Sequence, residues 1–146
     1  MKEQEKKRLE EQEDREVIVI DGTYAALGRL AAIAAKNALK GNKVVVCNCE
    51  DIIIIGKPKS IIENYKIKFA RGLGRQKGPY YSRLPERFVK RTIRGMLPHK
   101  KPRGRQAFDR IKCYVGVPEK YKEVEKISLK RQAANFITMS KLCKLV

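Results

Sequence analysis

The amino-acid sequence predicts an α/β fold. Three apolar and largely β-branched runs, Val17 to Ile20, Val44 to Cys47 and Ile52 to Ile55, have the composition of strands covered on both faces. Between the first two, Leu27, Leu30, Ala31, Ala34 and Ala38 recur at helical spacing, with Arg29, Lys36 and Lys40 pointing elsewhere. Strand, helix and strand in that order make a β-α-β unit. At 146 residues the chain fits one domain with enough core to need no metal or disulfide staple.

Taken in order, residues 1–16 form a charged N-terminal extension with helical propensity, in which Leu9 is the one sizeable apolar side chain after Met1. Asp21 and Gly22 turn the chain out of the first strand. Gly41 stands where the first helix needs its C-terminal cap. The link from Asn48 to Asp51 is too short for a helical crossover, which leaves the relative direction of the second and third strands open. A helix from Pro58 to Lys68 has proline in its first turn and a face made by Ile61, Ile62 and Tyr65.

Residues 71–83 then form a glycine-rich basic loop without apolar periodicity. The period returns from Pro85 to Leu97: Val89, Ile93, Met96 and Leu97 share one face, while Arg83, Arg87, Lys90, Arg91 and Arg94 cluster on the other. Residues 98–105, PHKKPRGR, read as a proline-braced basic connector before a shorter helix from Gln106 to Ile111. Lys112 to Val117 reads as a last strand that Pro118 ends. Beyond Glu119 the pattern is charged and partly helical, closing on a short helix capped by Thr138 and carrying Leu142 and Leu145.

Charge decides the class of partner. The chain carries 34 Lys and Arg against 16 Asp and Glu, a formal net charge of +18. Residues 57–112 concentrate the excess, with 18 Lys or Arg against Glu63, Glu86 and Asp109. Balanced solvated helices alternate sign and gain i to i+4 pairs, whereas Arg83, Arg87, Arg91 and Arg94 stack like charges. A polyanion that neutralises them is the partner this pattern calls for.

Enzymatic readings lack their motifs. VIDGTYAALGRLA offers a strand, a turn and a helix, yet contains neither G-x-G-x-x-G nor the G-K-[ST] of a phosphate loop. His99, the one histidine, lies among Pro98, Lys100 and Lys101 with no sequence-visible orienting partner. Asp21, Glu50 and Asp51 are better explained as turn and cap residues than as Mg²⁺ ligands. Cys47, Cys49, Cys113 and Cys143 show no C-x-x-C spacing and read as reduced thiols in or near strands. No catalytic residue, metal, cofactor or small-molecule substrate is expected. There is also no apolar run long enough for a membrane span and no secretory signal, so a soluble intracellular protein is expected.

The expected RNA-binding residues are Lys57, Lys59, Arg71, Gly72, Gly74, Arg75, Lys77, Tyr80, Tyr81, Arg83, Arg87, Lys90, Arg91, Arg94, His99, Lys100, Lys101, Arg103 and Arg105. The cations displace counterions from phosphates, and the glycines let backbone approach the ribose-phosphate chain. Tyr80 and Tyr81 have two readings that the sequence leaves equal, stacking on unpaired bases or packing against the sheet.

Three segments in order, VIDGTYAALGRLA, VVVCNCEDIIIIG and RTIRGMLPHKKPRGRQAFDRIKCYVGVP, resemble the universal large-subunit ribosomal protein thirteen family from about Val17 to Pro118. HKKPRGRQAFDRIK and ITMSKLCKL resemble its archaeal and eukaryotic branch. The resemblance implies a three-layer α/β/α domain with a four-stranded, mostly parallel sheet, carrying a basic loop and terminal extensions. It divides the chain into a charged extension 1–16, an RNA-binding domain 17–118 with a basic insertion 71–105, and a C-terminal extension 119–146.

As function it implies a non-catalytic structural constituent of the large ribosomal subunit that binds and orders ribosomal RNA beside neighbouring ribosomal proteins. The expected location is cytoplasmic, in ribosomes, with a nucleolar assembly phase if the source is eukaryotic. The alternatives are an off-ribosome RNA-binding regulator and, behind it, an α/β enzyme acting on a nucleotide or RNA. The cysteines at 47 and 49 depart from the plain apolar or small residues usual in that strand.

Overall fold

The computed structural model describes residues 16–71 and 80–146. The expectations placed on residues 1–15 and on Gly72, Gly74, Arg75 and Lys77 lie outside the described residues. In chain order the elements are β1 (Val17–Asp21), α1 (Leu27–Leu39), β2 (Lys43–Cys47), β3 (Ile53–Ile55), α2 (Pro58–Ala70), α3 (Pro85–Gly95), α4 (Pro102–Asp109), β4 (Ile111–Cys113), β5 (Lys126–Ser128), β6 (Phe136–Thr138) and α5 (Met139–Leu145). Short 3-10 turns occupy Cys49–Asp51 and Glu119–Tyr121.

The predicted β-α-β unit forms as expected. β1 and β2 pair in parallel from Val17 opposite Lys43 to Asp21 opposite Cys47, and α1 supplies the crossover. Its end is fixed by backbone geometry: Gly41 takes φ +108° and donates to the Ala38 carbonyl, while Asn42 donates to that of Asn37. This closure satisfies two of the last carbonyls of α1 and needs the left-handed conformation that glycine adopts cheaply.

β4 adds in parallel to the outer edge of β2 and β5 in parallel to that of β1, giving the order β4-β2-β1-β5. Side chains alternate across this sheet. Ile20, Val44, Val46 and Ile111 enter the main core with Leu30, Ala31 and Ala34 of α1, Val89 and Ile93 of α3, and Ala107 of α4. Val19, Val45 and Cys47 on the other face are covered by Tyr114, Val117 and Tyr121. Helices on a four-stranded parallel sheet with both faces covered are consistent with a three-layer α/β/α fold.

The third apolar run leaves this sheet. Asn48 adopts φ +53° and the following 3-10 turn redirects the chain, so β3 pairs antiparallel with β6 in a separate two-stranded sheet. The open question about its direction is thereby answered: β3 is not a neighbour of β2. β6 and α5 bring Ile137, Met139 and Leu142 into the main core, and the Thr138 hydroxyl accepts from the Lys141 amide as an N-cap. The segment after Glu119, expected to be partly helical, therefore also holds two three-residue strands.

Other boundaries moved for local reasons. The helix expected at Gln106 begins at Pro102, whose ring and absent N–H suit the first turn, so Arg103 and Arg105 are helical. The last central strand ends at Cys113, before the Gly116 amide turns in to donate to both carboxylate oxygens of Glu50 at 3.0 and 3.1 Å. Met96 lies one residue past α3 and is exposed, while Phe88 joins the buried stripe; Leu145 is exposed too. Ile61, Ile62 and Tyr65 of α2 are half-buried against the core, together with Phe69.

Asp21 ties the end of β1 to that of β2. Its Oδ1 accepts from the Thr23 amide at 3.0 Å, the Thr23 hydroxyl at 2.7 Å and Asn48 Nδ2 at 2.9 Å. Partial burial opposes the charged form, but the bonds from Asn48 and Thr23 outweigh it and hold the carboxyl below its ordinary value of 3.8. A depressed folded-state pKa contributes stability that is complete above the unfolded value and lost as pH falls through the folded one. Asp21→Ala is expected to cost about 1–3 kcal/mol at pH 7 in denaturant unfolding. The gap to the parent chain should narrow as the pH drops below about 4.

Candidate nucleic-acid interface

α3 is the spine of the basic surface. Pro85 occupies its first turn, and Phe88, Val89 and Ile93 are buried. That fixes the rotation of the helix, leaving Arg87 and Arg94 exposed on the outer face with Lys90 and Arg91 half-buried between them. Arg83 is exposed just before the helix. The six residues after Gly95 fold into tight turns, with His99 donating to the Leu97 carbonyl at 2.8 Å and Lys101 to that of Pro98 at 2.9 Å. They deliver α4 alongside.

Lys100, Lys101, Arg103 and Arg105 are exposed on that turn and helix, and His99 is half-buried. Gly104 is buried where α4 meets the turn; a Cβ there would overlap the Pro98 carbonyl. The close helix–turn approach is therefore specific to glycine, and it places the cations of the turn beside those of α4.

Aromatic rings connect this surface to α2. Tyr65 lies 5.1 Å from Phe88, Phe88 stacks on Phe69 at 6.5 Å, and Phe69 meets Tyr81 at 5.7 Å, centroid to centroid. The Arg91 guanidinium sits 3.7 Å over the Tyr81 ring, and its Nη1 donates to the Tyr80 carbonyl at 3.1 Å. Arg91 thus anchors the 80–82 segment to α3, and Tyr81 takes the packing alternative, against α2 and Arg91 instead of the sheet. Lys90 covers Phe108 of α4 at 4.8 Å. Tyr80, by contrast, keeps 61% of its surface exposed.

A pocket of about 230 Å³ opens beside Tyr80, Arg87, Lys90, Arg94 and Phe108, and a second of about 200 Å³ lies next to Tyr65 and Lys68. Both share Tyr81, Phe88 and Arg91 as wall. The structure therefore gathers Tyr80, Tyr81, Arg87, Lys90, Arg91 and Arg94 around one feature. Arg71 is exposed at the end of α2 nearest this cluster in sequence, while Lys57 and Lys59 are exposed at its start, roughly 20 Å away along the helix axis.

Sequence reasoning missed Phe69, Phe88 and Phe108. Phe88 could have been found by widening the apolar stripe of α3 by one position, since 88 and 89 both precede 92 and 93 by one turn. The Lys90–Phe108 and Arg91–Tyr81 pairs carry no sequence signal, because their partners come from different elements.

Two of the carboxylates weighed for other chemistry have structural partners. Asp21 and Glu50 are engaged as described, and among the described residues no group of three or more His, Cys, Asp or Glu could hold a metal ion. Cys47 and Cys49 are buried and Cys113 half-buried at the strand ends, with Cys143 half-buried in α5 instead of near a strand. Burial pushes the Cys47 and Cys143 thiols up, and a hydrogen bond with Cys113 followed by burial does the same to Cys49. Raised thiols are poor nucleophiles. Among the described residues no helix is long and apolar enough to cross a membrane.

A profile of the family described as Ribosomal protein L13 matches residues 15–120. The chain is 48% identical over 111 residues to the large ribosomal subunit protein uL13 of Archaeoglobus fulgidus, spanning 75% of this chain and 70% of that one. It is 43% identical over 129 residues to the uL13 of Methanocaldococcus jannaschii, spanning 86% and 94%. With that of Methanosarcina barkeri it shares 40% over 128 residues, 87% and 91% of the two chains. The profile covers β1 to β4 with the whole basic surface between them, and the relatives match up to 87% of the chain: the chain belongs to the ribosomal protein L13 family.

Proposed function

We propose that the chain is a structural component of the large ribosomal subunit, where it binds and orders ribosomal RNA beside neighbouring ribosomal proteins. The family is a structural, non-enzymatic one, in line with the absence of catalytic motifs from the sequence. The observation that carries the RNA reading is the outer side of α3, the following turn and α4. There Arg83, Arg87, Arg94, Lys100, Lys101, Arg103 and Arg105 are all exposed along a continuous stretch whose acidic residues are Glu86 and Asp109. Such a surface repels itself until phosphates neutralise it. Its place of work would be cytoplasmic ribosomes, after a nucleolar assembly phase in a eukaryotic source.

Sedimentation of native lysate tests the reading. At moderate salt the protein is expected to migrate with large subunits and to be released as salt is raised, since phosphate contacts weaken with ionic strength. A protein that stays wholly at the top of the gradient would overturn the ribosomal role and favour an off-ribosome regulator.

A further inference from the structure

Lys57 and Lys59 stand apart from the α3–α4 surface, and the fold surrounds Lys57 with a second group of cations. The Gly56 amide donates to the Asn135 carbonyl at 3.0 Å, and Ile55 pairs with Phe136 of β6. The Arg131 amide donates to the Tyr24 carbonyl at 3.0 Å, and Lys130 bridges to Ala25. Lys57, Lys59, Lys130 and Arg131 are all exposed. Residues 52–62 and 126–146 contain no Asp or Glu. Two acids lie close: Asp51, whose carbonyl accepts from the Tyr24 amide, and Asp21, which attracts Lys130 but whose Oδ1 already accepts three bonds.

Tyr24 stands among these cations. Its ring meets that of Phe136 at 85° with centroids 6.4 Å apart, and 51% of the residue stays exposed. Its backbone is left-handed, φ +52°, a conformation that glycine adopts cheaply and a bulky side chain does not. The turn alone would be better served by glycine, so the use of the tyrosine lies in the ring it presents. From this geometry we infer that this end of the molecule is a second contact for ribosomal RNA, in which Lys57, Lys130 and Arg131 take phosphates of one strand and the Tyr24 ring stacks on a base of that strand. The inference rests on the RNA-binding reading and extends it to a second segment of the RNA. α2 sets Lys57 roughly 20 Å from Arg71, beyond the Debye length of roughly 8 Å in physiological salt, so the two ends release counterions independently. A protein neighbour fits less well, because lysine is depleted at protein interfaces, while rings set among cations are the means by which single strands are held.

Hydroxyl-radical footprinting of large-subunit ribosomal RNA, saturated with the full chain or its variants, tests this. Lys57→Ala combined with Lys130→Ala and Arg131→Ala is expected to lose protection at nucleotides that Arg87→Glu with Arg94→Glu still protects. Its salt dependence of log affinity should become shallower by about two to three, at 0.7–0.9 for each of the phosphates released. Tyr24→Gly suits the left-handed backbone and is expected to fold. It should weaken binding roughly five- to 150-fold at an unchanged salt dependence, because stacking releases no counterions, and Tyr24→Phe should keep most of the affinity. Ultraviolet cross-linking of the parent chain, which needs no variant, is expected to leave a nucleotide adduct on Tyr24.

An unchanged footprint and salt dependence in the triple variant, full affinity of a folded Tyr24→Gly variant, or adducts confined to α3 and α4 would overturn the inference while leaving RNA binding through α3 intact. A triple variant that binds naked RNA fully but no longer sediments with large subunits would assign this surface to a protein neighbour and overturn it too. Failure of the parent chain to bind this RNA at all would overturn the RNA reading and this inference with it.

Discussion

Gly104→Ala is expected to destabilise the chain by about 3 kcal/mol, against the ordinary direction of such a change. Alanine is favoured over glycine in a helix by roughly 0.5–1 kcal/mol, and Gly104 lies within α4. An added Cβ, however, would overlap the carbonyl of Pro98 and crowd the His99 amide, both backbone. The turn has little room to yield, because Lys101 donates to that same Pro98 carbonyl and Gly104 and Arg105 both donate to that of Lys101. α4 would have to lift off, withdrawing Ala107, which is fully buried in the main core. Overpacking of this kind costs about 1–3 kcal/mol, and more where no side chain can give way.

Denaturant midpoints of Gly104→Ala and Gly28→Ala measure the contrast. Gly28 lies in α1 with nothing within 4 Å of its would-be Cβ, so alanine there should stabilise by up to about 1 kcal/mol. In thermal unfolding the Gly104 variant should lose on the order of 6–12 °C, taking roughly 2–4 °C per kcal/mol for a chain of this size. A neutral Gly104→Ala would mean that α4 and the 96–101 turn do not pack closely.

Gly104 also marks the limit of what the sequence disclosed. PHKKPRGR reads as a basic connector because its charges and prolines are local facts, while the need for glycine comes from the way Pro98, six residues earlier, folds back against α4. The β1–α1–β2 unit was legible because long β-branched runs and alanines at helical spacing are strong local signals. The Thr138 cap was legible for the same reason.

β5 and β6 were not. Lys126–Ser128 and Phe136–Thr138 are three residues each, and their partners Val19–Asp21 and Ile53–Ile55 lie about a hundred and about eighty positions back. No propensity could supply those pairings. At the candidate interface the sequence grouped the cations but could not separate Arg91, which holds Tyr81 in place, from Arg87 and Arg94, which face outward. That distinction depends on where the 80–82 segment comes to rest.

It also determines the most informative charge reversal. Arg87→Glu combined with Arg94→Glu is expected to weaken binding to large-subunit ribosomal RNA by roughly 100-fold or more, since each charge-assisted hydrogen bond contributes about 1.5–3 kcal/mol. The salt dependence of log affinity should become shallower by about 0.7–0.9 for each phosphate that is no longer neutralised. Folding should be nearly unaffected. Both side chains are exposed, and they stand about 10 Å apart along the helix axis, beyond the Debye length of roughly 8 Å in physiological salt, so their mutual repulsion is largely screened.

At position 87 an acid precedes Arg91 by four residues, a pairing that gains about 0.2–0.5 kcal/mol. At position 94 it meets the negative end of the helix dipole, which costs about as much. Adding Arg91→Glu to the pair would spoil this separation, because it removes the ring stack and the Tyr80 carbonyl bond along with the charge. Fluorescence anisotropy across a salt series, beside denaturant unfolding of the same double variant, measures both quantities. Full RNA affinity in a folded double variant would move the interface off the outer face of α3. A lost fold would mean that these two arginines are held by the protein and not left for phosphate.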